Sequence, residues 1–251
     1  MNPPRRDRAA LYGIGGAILL LVLAELIGRT GVAGRAWPPL TDVLAYLATP
    51  AGSSLLWRNG AVTLTAAAQG LVLGVAVAVL GAALALVVPA LRPGFDRFAA
   101  ILNAFPTIAL APLLITTVGR DDTPLVIAAL SVGFVMFVTM TSAFSTGSAA
   151  HADLLTVLGA SRMQRLRRLE LPRAVPAFFD GLTMSAPAAI LGATIGEWFG
   201  APRGLGLLLV SAMQNYQMAL LWSAALVATV ASLAAYLVFV QLQRLAVGRF
   251  A

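Results

Sequence analysis

From Asn59 to Leu91 the chain carries no charged side chain, and from Gly204 to Gln243 it carries none again. Stretches of this length exceed the roughly 20 apolar residues that one bilayer crossing requires. Only 11% of the 251 residues are charged, where a soluble domain would carry about 25%, and 59% are hydrophobic. Most side chains therefore face something other than water, and the fold class is an all-α membrane protein. Marking the charge-free intervals predicts about six transmembrane helices. They cover Ala9 to Ile27, a second inside Asn59 to Leu91, Phe98 to Val118, Pro124 to Phe144, Ala174 to Gly196, and Ala219 to Leu242. The last interval is too long for one crossing at about 1.5 Å per residue. It divides into a short outer amphipathic helix over Leu205 to Ala212, a polar turn at Gln214 to Gln217, and the sixth span.

All 17 basic residues are arginine, and their distribution fixes the orientation by the positive-inside rule. Arg5, Arg6, Arg8, Arg92, Arg97, Arg162, Arg165, Arg167, Arg168, Arg173, Arg244 and Arg249 fall on one side; Arg29, Arg35, Arg58, Arg120 and Arg203 fall on the other. The richer side is cytoplasmic, which places both termini in the cytoplasm. Trp37, Trp57, Trp198 and Trp222 all map to the outer boundary, although aromatic belts usually occupy both leaflets. An Arg-rich start, an apolar core and the small residues Val32, Ala33 and Gly34 also describe a cleavable secretory signal. The expectation is a retained first span, so that residues 1–251 form a single transmembrane domain. Its one substantial cytoplasmic insertion is 147–175, and its outer loop is 197–218.

Composition excludes several chemistries. Without Lys there is no P-loop, which needs that side chain on the β/γ-phosphates. Without Cys, and with His151 alone, thiolate zinc sites, His clusters and Ser-His triads drop out, so no metal site and no catalytic residue is expected. The pI near 11 does not signal nucleic acid, because the arginines punctuate apolar runs instead of covering a soluble face. Gly13, Gly15 and Gly16, and the Gly204-Leu205-Gly206 run, follow no strand and are not nucleotide loops. Gly70 with Gly74, and Gly192 with Gly196 and Gly200, have the small-xxx-small spacing of closely packed membrane helices.

The insertion reads as helix, turn, helix. Ser148 can cap a first helix with Leu154, Leu155 and Leu158 on one face, and Gly159 fits the left-handed position after it. Ser161 can cap a second, with Met163, Leu166 and Leu169 on its apolar side, Arg162, Arg165 and Arg168 beside them, and Pro172 as its stop. Such a unit beneath a bundle suits a cytosolic partner; a solvated connector whose arginines only enforce topology is the alternative.

The spacing of this segment resembles the loop shared by permease subunits of binding-protein-dependent ABC importers, a pattern of Glu-Ala-Ala, three residues, Gly, nine residues, then Ile-x-Leu-Pro. Asp153, Leu154 and Leu155 occupy the first triplet, Gly159 the glycine, and Leu169 to Pro172 the closing tetrad. The triplet departs from the pattern and keeps only its acidic character. NGAVTLTAAAQGLVLG, LNAFPTIALAPLLITTVG and IGEWFGAPRGLGLLLVSAM are similar to the nitrate, sulfonate and taurine branch, which also serves pyrimidine and thiamine precursors. The resemblance implies a type I importer permease of the bacterial cytoplasmic (inner) membrane, dimeric with a second copy or a homologous permease. It implies two ATPase copies, which hold ATP and Mg while this chain binds no cofactor, and a periplasmic or lipid-anchored binding protein. It also implies that Asp153, Leu154, Leu155, Leu158, Gly159, Ala160, Ser161, Arg162, Leu171 and Pro172 form the ATPase-coupling surface.

Pro106, Pro112 and Pro187 interrupt spanning helices, which is tolerated where neighbours or a water-filled cavity satisfy the backbone. Translocation-path candidates are accordingly Asn103, Pro106, Thr107, Thr139, Thr183, Ser185 and Pro187, with interhelical hydrogen bonding as the alternative for the polar ones. Glu197 is either an outer gate or binding-protein contact, together with Arg203, or an interfacial carboxylate paired with Arg203. Asp180 is expected to pair with a loop arginine. A secondary transporter would need coupling groups at mid-membrane and an intramembrane enzyme a dyad or metal, and the spans offer neither. The substrate, and the choice between homodimer and heterodimer, are open at this stage. In this Cys-free chain, Arg165→Cys should resist a membrane-impermeant thiol reagent added outside intact cells, while Trp37→Cys should react. Labelling at 165 from outside would overturn the orientation.

Overall fold

The computed structural model describes residues 4–145 and 157–247, and every regular element within them is helical. In chain order these are α1 (Pro4–Thr30), α2 (Leu40–Ala48), α3 (Pro50–Val87), a 3-10 turn (Pro89–Leu91), α4 (Arg92–Ala104), α5 (Thr107–Thr117) and α6 (Thr123–Ser145). After the insertion come α7 (Arg162–Arg165), a π-helical turn (Leu166–Glu170), α8 (Leu171–Glu197), α9 (Leu205–Gln214) and α10 (Met218–Val247). Five of them, α1, α3, α6, α8 and α10, are long and apolar enough to cross a bilayer.

The third expected span, over Phe98 to Val118, is not one continuous helix and is not among these five. It divides into α4 and α5 at Phe105 and Pro106, where Phe105 takes the extended φ −77°, ψ 127°. A proline disfavours the helical conformation of the residue before it and offers no N–H to the preceding turn, so the break falls there. Pro112 is absorbed inside α5. The second crossing starts earlier than its charge-free interval. Thr49 accepts a hydrogen bond from Gly52 N at 3.1 Å, and α3 then runs for 38 residues through Trp57 and Arg58.

The centre of the bundle is α6, held between α3 and α8. Gly70 and Gly74 of α3 lie against it so closely that a Cβ at Gly74 would stand 2.6 Å from Ala129 O. From the other side, a Cβ at Gly192 would stand 2.9 Å from Ala128 Cα, and one at Gly196 2.5 Å from Pro124 Cα. Gly200 leaves this series: it turns at φ +107° beside Arg120, beyond the end of α8. Small residues dominate the resulting core, with Ala78, Ala82, Ala128, Ala189 and Ala193 buried around Val132 and Met136. By contrast α1 buries none of its crossing stretch. It is held at its outer end, where Glu25 accepts from Arg29 Nε at 2.6 Å and Thr41 N at 3.1 Å, and Trp37 Nε1 donates to Ala24 O.

Replacing Gly192 with Leu should force α8 away from α6 and cost about 1–3 kcal/mol, as overpacking does. Gly81→Ala, whose Cβ would meet nothing nearer than Phe137 at 3.7 Å, should leave stability unchanged or improved. Thermal unfolding of the two purified variants in detergent checks this, and equal midpoints would contradict the packing account.

Candidate functional site

At the cytoplasmic end, Asp153, Leu154 and Leu155 lie outside the described residues, as does Ser148, and the description resumes at Val157. Gly159 has φ +74° with open space around its Cα, so a side chain there is opposed by backbone conformation and not by a neighbour. Ser161 then starts the second helix through a reciprocal box: Gln164 N donates to Ser161 Oγ at 3.3 Å, and Ser161 N donates to Gln164 Oε1 at 2.8 Å. Pro172 does not stop this helix. The chain passes from α7 through the π-helical turn into α8 without leaving helical geometry, and Pro172 falls within the first turn of α8. The ring directly follows the π-helical turn, whose wider register accommodates a residue that offers no N–H. Val157, Leu158, Met163 and Leu171 are exposed, an apolar set on the side where a soluble surface would be polar.

The path candidates are spread over several contacts. Pro106 marks the α4–α5 break and Thr107 opens α5. Thr139 donates to Val135 O on α6 and faces Gly181 of α8, while Thr183 donates to Phe179 O and approaches Gln243 Oε1 of α10 at 3.5 Å. Ser185 is fully buried with no partner for its hydroxyl, and Pro187 is accommodated inside α8. The side chain of Asn103 is outside the described residues. Asp180 accepts a hydrogen bond from Gln243 Nε2 of the last helix, while the side chains of Arg162, Arg165 and Arg173 lie outside the described residues. A separate apolar cavity of about 310 Å³ opens between α3, α4 and α6, walled by Val77, Gly81, Phe95, Phe98, Gly133 and Phe137 among others.

Among the described residues a buried polar cluster centres on Glu197, which ends α8 and is 1% exposed. Its carboxyl is turned inward, away from the exposed Arg203, so the interfacial pair with Arg203 is not formed. Glu197 Oε2 accepts from Thr63 Oγ1 at 3.0 Å and from Gly206 N at 2.8 Å. Leu205 N donates to Thr63 Oγ1 at 2.8 Å, and Gly204 N donates to Asn59 Oδ1 at 2.9 Å. Three side chains thus take up the N–H groups that begin α9, which a helix cannot satisfy internally. The glycines of this run are required by that closeness. A Cβ at Gly204, where φ is +135°, would overlap the Glu197 carboxyl, and one at Gly206 would overlap Thr194 O. Oε1 of Glu197 is buried without a partner. Asn59 and Thr63 were not singled out in the sequence; the signal available was two hydrogen-bonding residues four apart, hence on one face, in an otherwise apolar helix.

Comparison with known proteins bears on the whole arrangement. A probable ABC transporter permease protein of Haemophilus influenzae is 30% identical over 185 residues, 73% of this chain and 76% of that protein. The riboflavin transport system permease protein RibX of Chloroflexus aurantiacus is 31% identical over 86% of this chain and 77% of its own length. The formylaminopyrimidine transport permease protein ThiX of Halalkalibacterium halodurans is 31% identical over 41% of this chain and 42% of its own. Among solved structures, an inward-facing form of the MetNI methionine ABC transporter shares the fold, with TM-score 0.62 and 18% identity over 79% of this chain and 99% of that one. Residues 70–251 match the family described as the binding-protein-dependent transport system inner membrane component. With five crossing-length helices among the described residues, of which α3 and α8 pack closely on α6, the chain belongs to that family and is a permease subunit of the ABC transporter type.

Proposed function

We propose that this chain works as one of two permeases in an ATP-driven importer of the bacterial inner membrane, coupled to two separate ATPase subunits. A binding protein delivers the solute to its outer face. The observation that carries the reading is the helical path leading from the left-handed Gly159 turn directly into a spanning helix, flanked by exposed Leu158 and Met163. An apolar surface on the cytoplasmic side is stabilised by a partner, and a partner seated there displaces α8 through its own backbone. In this reading residues 153–162 with Leu171 and Pro172 are the ATPase contact, and the α4–α5 break with Thr107, Thr139, Thr183, Ser185 and Pro187 contributes to the path. ATP and its metal are held by the partner ATPase, consistent with a chain that lacks lysine.

For the solute we favour a nitrogen heterocycle of the pyrimidine or flavin type over a sulfonate or nitrate ion. Two relatives carry transport names of the heterocyclic kind. Among the described residues the buried polar set contains no cation that would face an oxyanion. The compound retained by the cognate binding protein after purification decides this by mass spectrometry: a heterocycle is expected, and a sulfonate or nitrate would overturn the substrate assignment.

The isolated, pure chain should hydrolyse no ATP. Reconstituted with its cognate ATPase it should show vanadate-sensitive turnover stimulated by loaded binding protein, and hydrolysis by the isolated chain would refute the division of labour. Gly159→Val should cost roughly 1–2 kcal/mol in the turn, the penalty of a branched residue in the left-handed region. Membrane abundance should stay normal while uptake and ATPase co-purification fall, and Gly159→Asn, which tolerates that region, should be milder. Wild-type uptake with undiminished ATPase retention by Gly159→Val would remove the coupling role.

A further inference from the structure

The coupling end and the outer cluster are the two ends of one helical element. From Arg162 the backbone stays helical through α7, the π-helical turn and α8 to Glu197, a path on the order of 50 Å at the usual rise. Such an element transmits displacement along its length better than a chain of loops, yet it acts on the outer surface only through what its tip holds. The tip holds α9. The connection after Glu197 is a loop containing Gly200 and Gly204, both at positive φ, which by itself transmits little. Around that loop runs the short route: Glu197 Oε2 to Gly206 N, and Glu197 Oε2 to Thr63 of α3, whose hydroxyl also receives Leu205 N.

The position has two marks of a group kept for more than packing. A carboxyl 1% exposed, whose hydrogen bonds come only from a hydroxyl and a backbone N–H, is an expensive way to start a helix that a Ser or Asp at its own cap position would start more cheaply. Its second oxygen is buried without a partner, so the group is held with one bonding capacity unused. We propose that Glu197 is a positioning residue. Its carboxyl fixes the N-terminus of α9 to the tip of α8 and to α3, so that movement of α8 imposed at the coupling segment is delivered to the outer helix. The inference rests on the importer reading above. α9 is then a driven element of the outer surface, and the 198–204 loop is only its tether.

The test uses the assembled transporter with its ATPase and binding protein, in proteoliposomes. Met213, on the last turn of α9, is more than half exposed, and Met213→Cys gives the chain a single thiol. Its reaction rate with an impermeant maleimide is measured nucleotide-free and vanadate-trapped. With Glu197 present, the rates in the two states should differ at least about fivefold, the lower range of allosteric coupling. With Glu197→Ala the difference should collapse and binding-protein-stimulated uptake should be lost, while basal ATP hydrolysis and ATPase retention persist. Glu197→Gln should restore the difference, because its amide oxygen accepts the same two hydrogen bonds. Thr63→Val, which leaves the carboxyl in place and removes one donor, should reduce it, and serves where Glu197→Ala fails to accumulate. A state-dependent rate that survives in both Glu197→Ala and Thr63→Val overturns the proposal, as does a rate at Met213→Cys insensitive to state in a transporter that still imports. A chain that neither retains an ATPase nor traps vanadate overturns the importer reading itself, and the inference with it.

Discussion

The contact on which the rest of the bundle depends is the close approach of α3 and α8 to the same stretch of α6. Ala128 lies under Gly70 from one side and Gly192 from the other. Within lipid there is no hydrophobic gain from joining two apolar helices, so association depends on backbones coming near enough for dense van der Waals contact. Glycine and alanine allow that approach, which is why a core with few large side chains still closes. Met136 fills the remaining gap, its Sδ standing where a Cβ on Gly181 would be only 2.6 Å away. Outside this trio, α10 packs along α8 and closes a second apolar cluster with α9 through Leu205, Leu208, Ala212, Leu220 and Ala224, whereas α1 is fixed mainly at one end and leaves its apolar face for lipid or for another chain.

The ends are fixed by polar groups, and twice by the same device. A short helix at the outer boundary begins against a carboxylate carried by a spanning helix: Glu25 of α1 receives Thr41 N and Thr41 Oγ1 at the start of α2, and Glu197 of α8 receives Gly206 N at the start of α9. Helix N-termini expose N–H groups and partial positive charge, so a carboxylate answers both needs. The two sites differ in what surrounds them. Glu25 also pairs with Arg29 in an exposed position, whereas Glu197 is enclosed by α3 and by the glycines of α9. The tryptophans add a second tie between distant segments. Trp37 and Trp222 approach to 4.7 Å between ring centroids, and Trp222 Nε1 donates to Ala36 O, which binds the α1–α2 connection to α10.

Much of this was legible in the residues. Charge-free length located the crossings because lipid imposes it, and the small-residue spacing at Gly70, Gly74, Gly192 and Gly196 identified faces that do pack closely. Gly159 was legible for a local reason, since a glycine just ahead of a capped helix start at Ser161 suits a left-handed backbone, which it adopts. What the sequence withheld was tertiary. Glu197 beside Trp198 and ahead of Arg203 reads as an interfacial carboxylate with a neighbouring cation, and only the fold brings Thr63 and Asn59 to it across more than a hundred residues. Asp180 has a tertiary partner of the same kind, Gln243, which arrives on the last helix.

The prolines show how far local rules reach. Pro106 ends a helix and Pro112, Pro176 and Pro187 do not, although all four stand in apolar sequence. A proline inside a helix loses one hydrogen bond and crowds the carbonyl four residues before it; whether the helix survives depends on what else holds the two halves in line. α8 is held along its length by the α6 contacts and at its tip by Glu197, so its prolines are carried. At Pro172 the accommodation is local. The π-helical turn over Leu166–Glu170 widens the helix just before the ring, and π-turns inside helices are frequent at functional positions. The cost of that wider turn is offset if it keeps the cytoplasmic helix and the spanning helix in one piece. A conventional stop at Pro172 would have left the 157–170 segment on a hinge, free to move without moving α8.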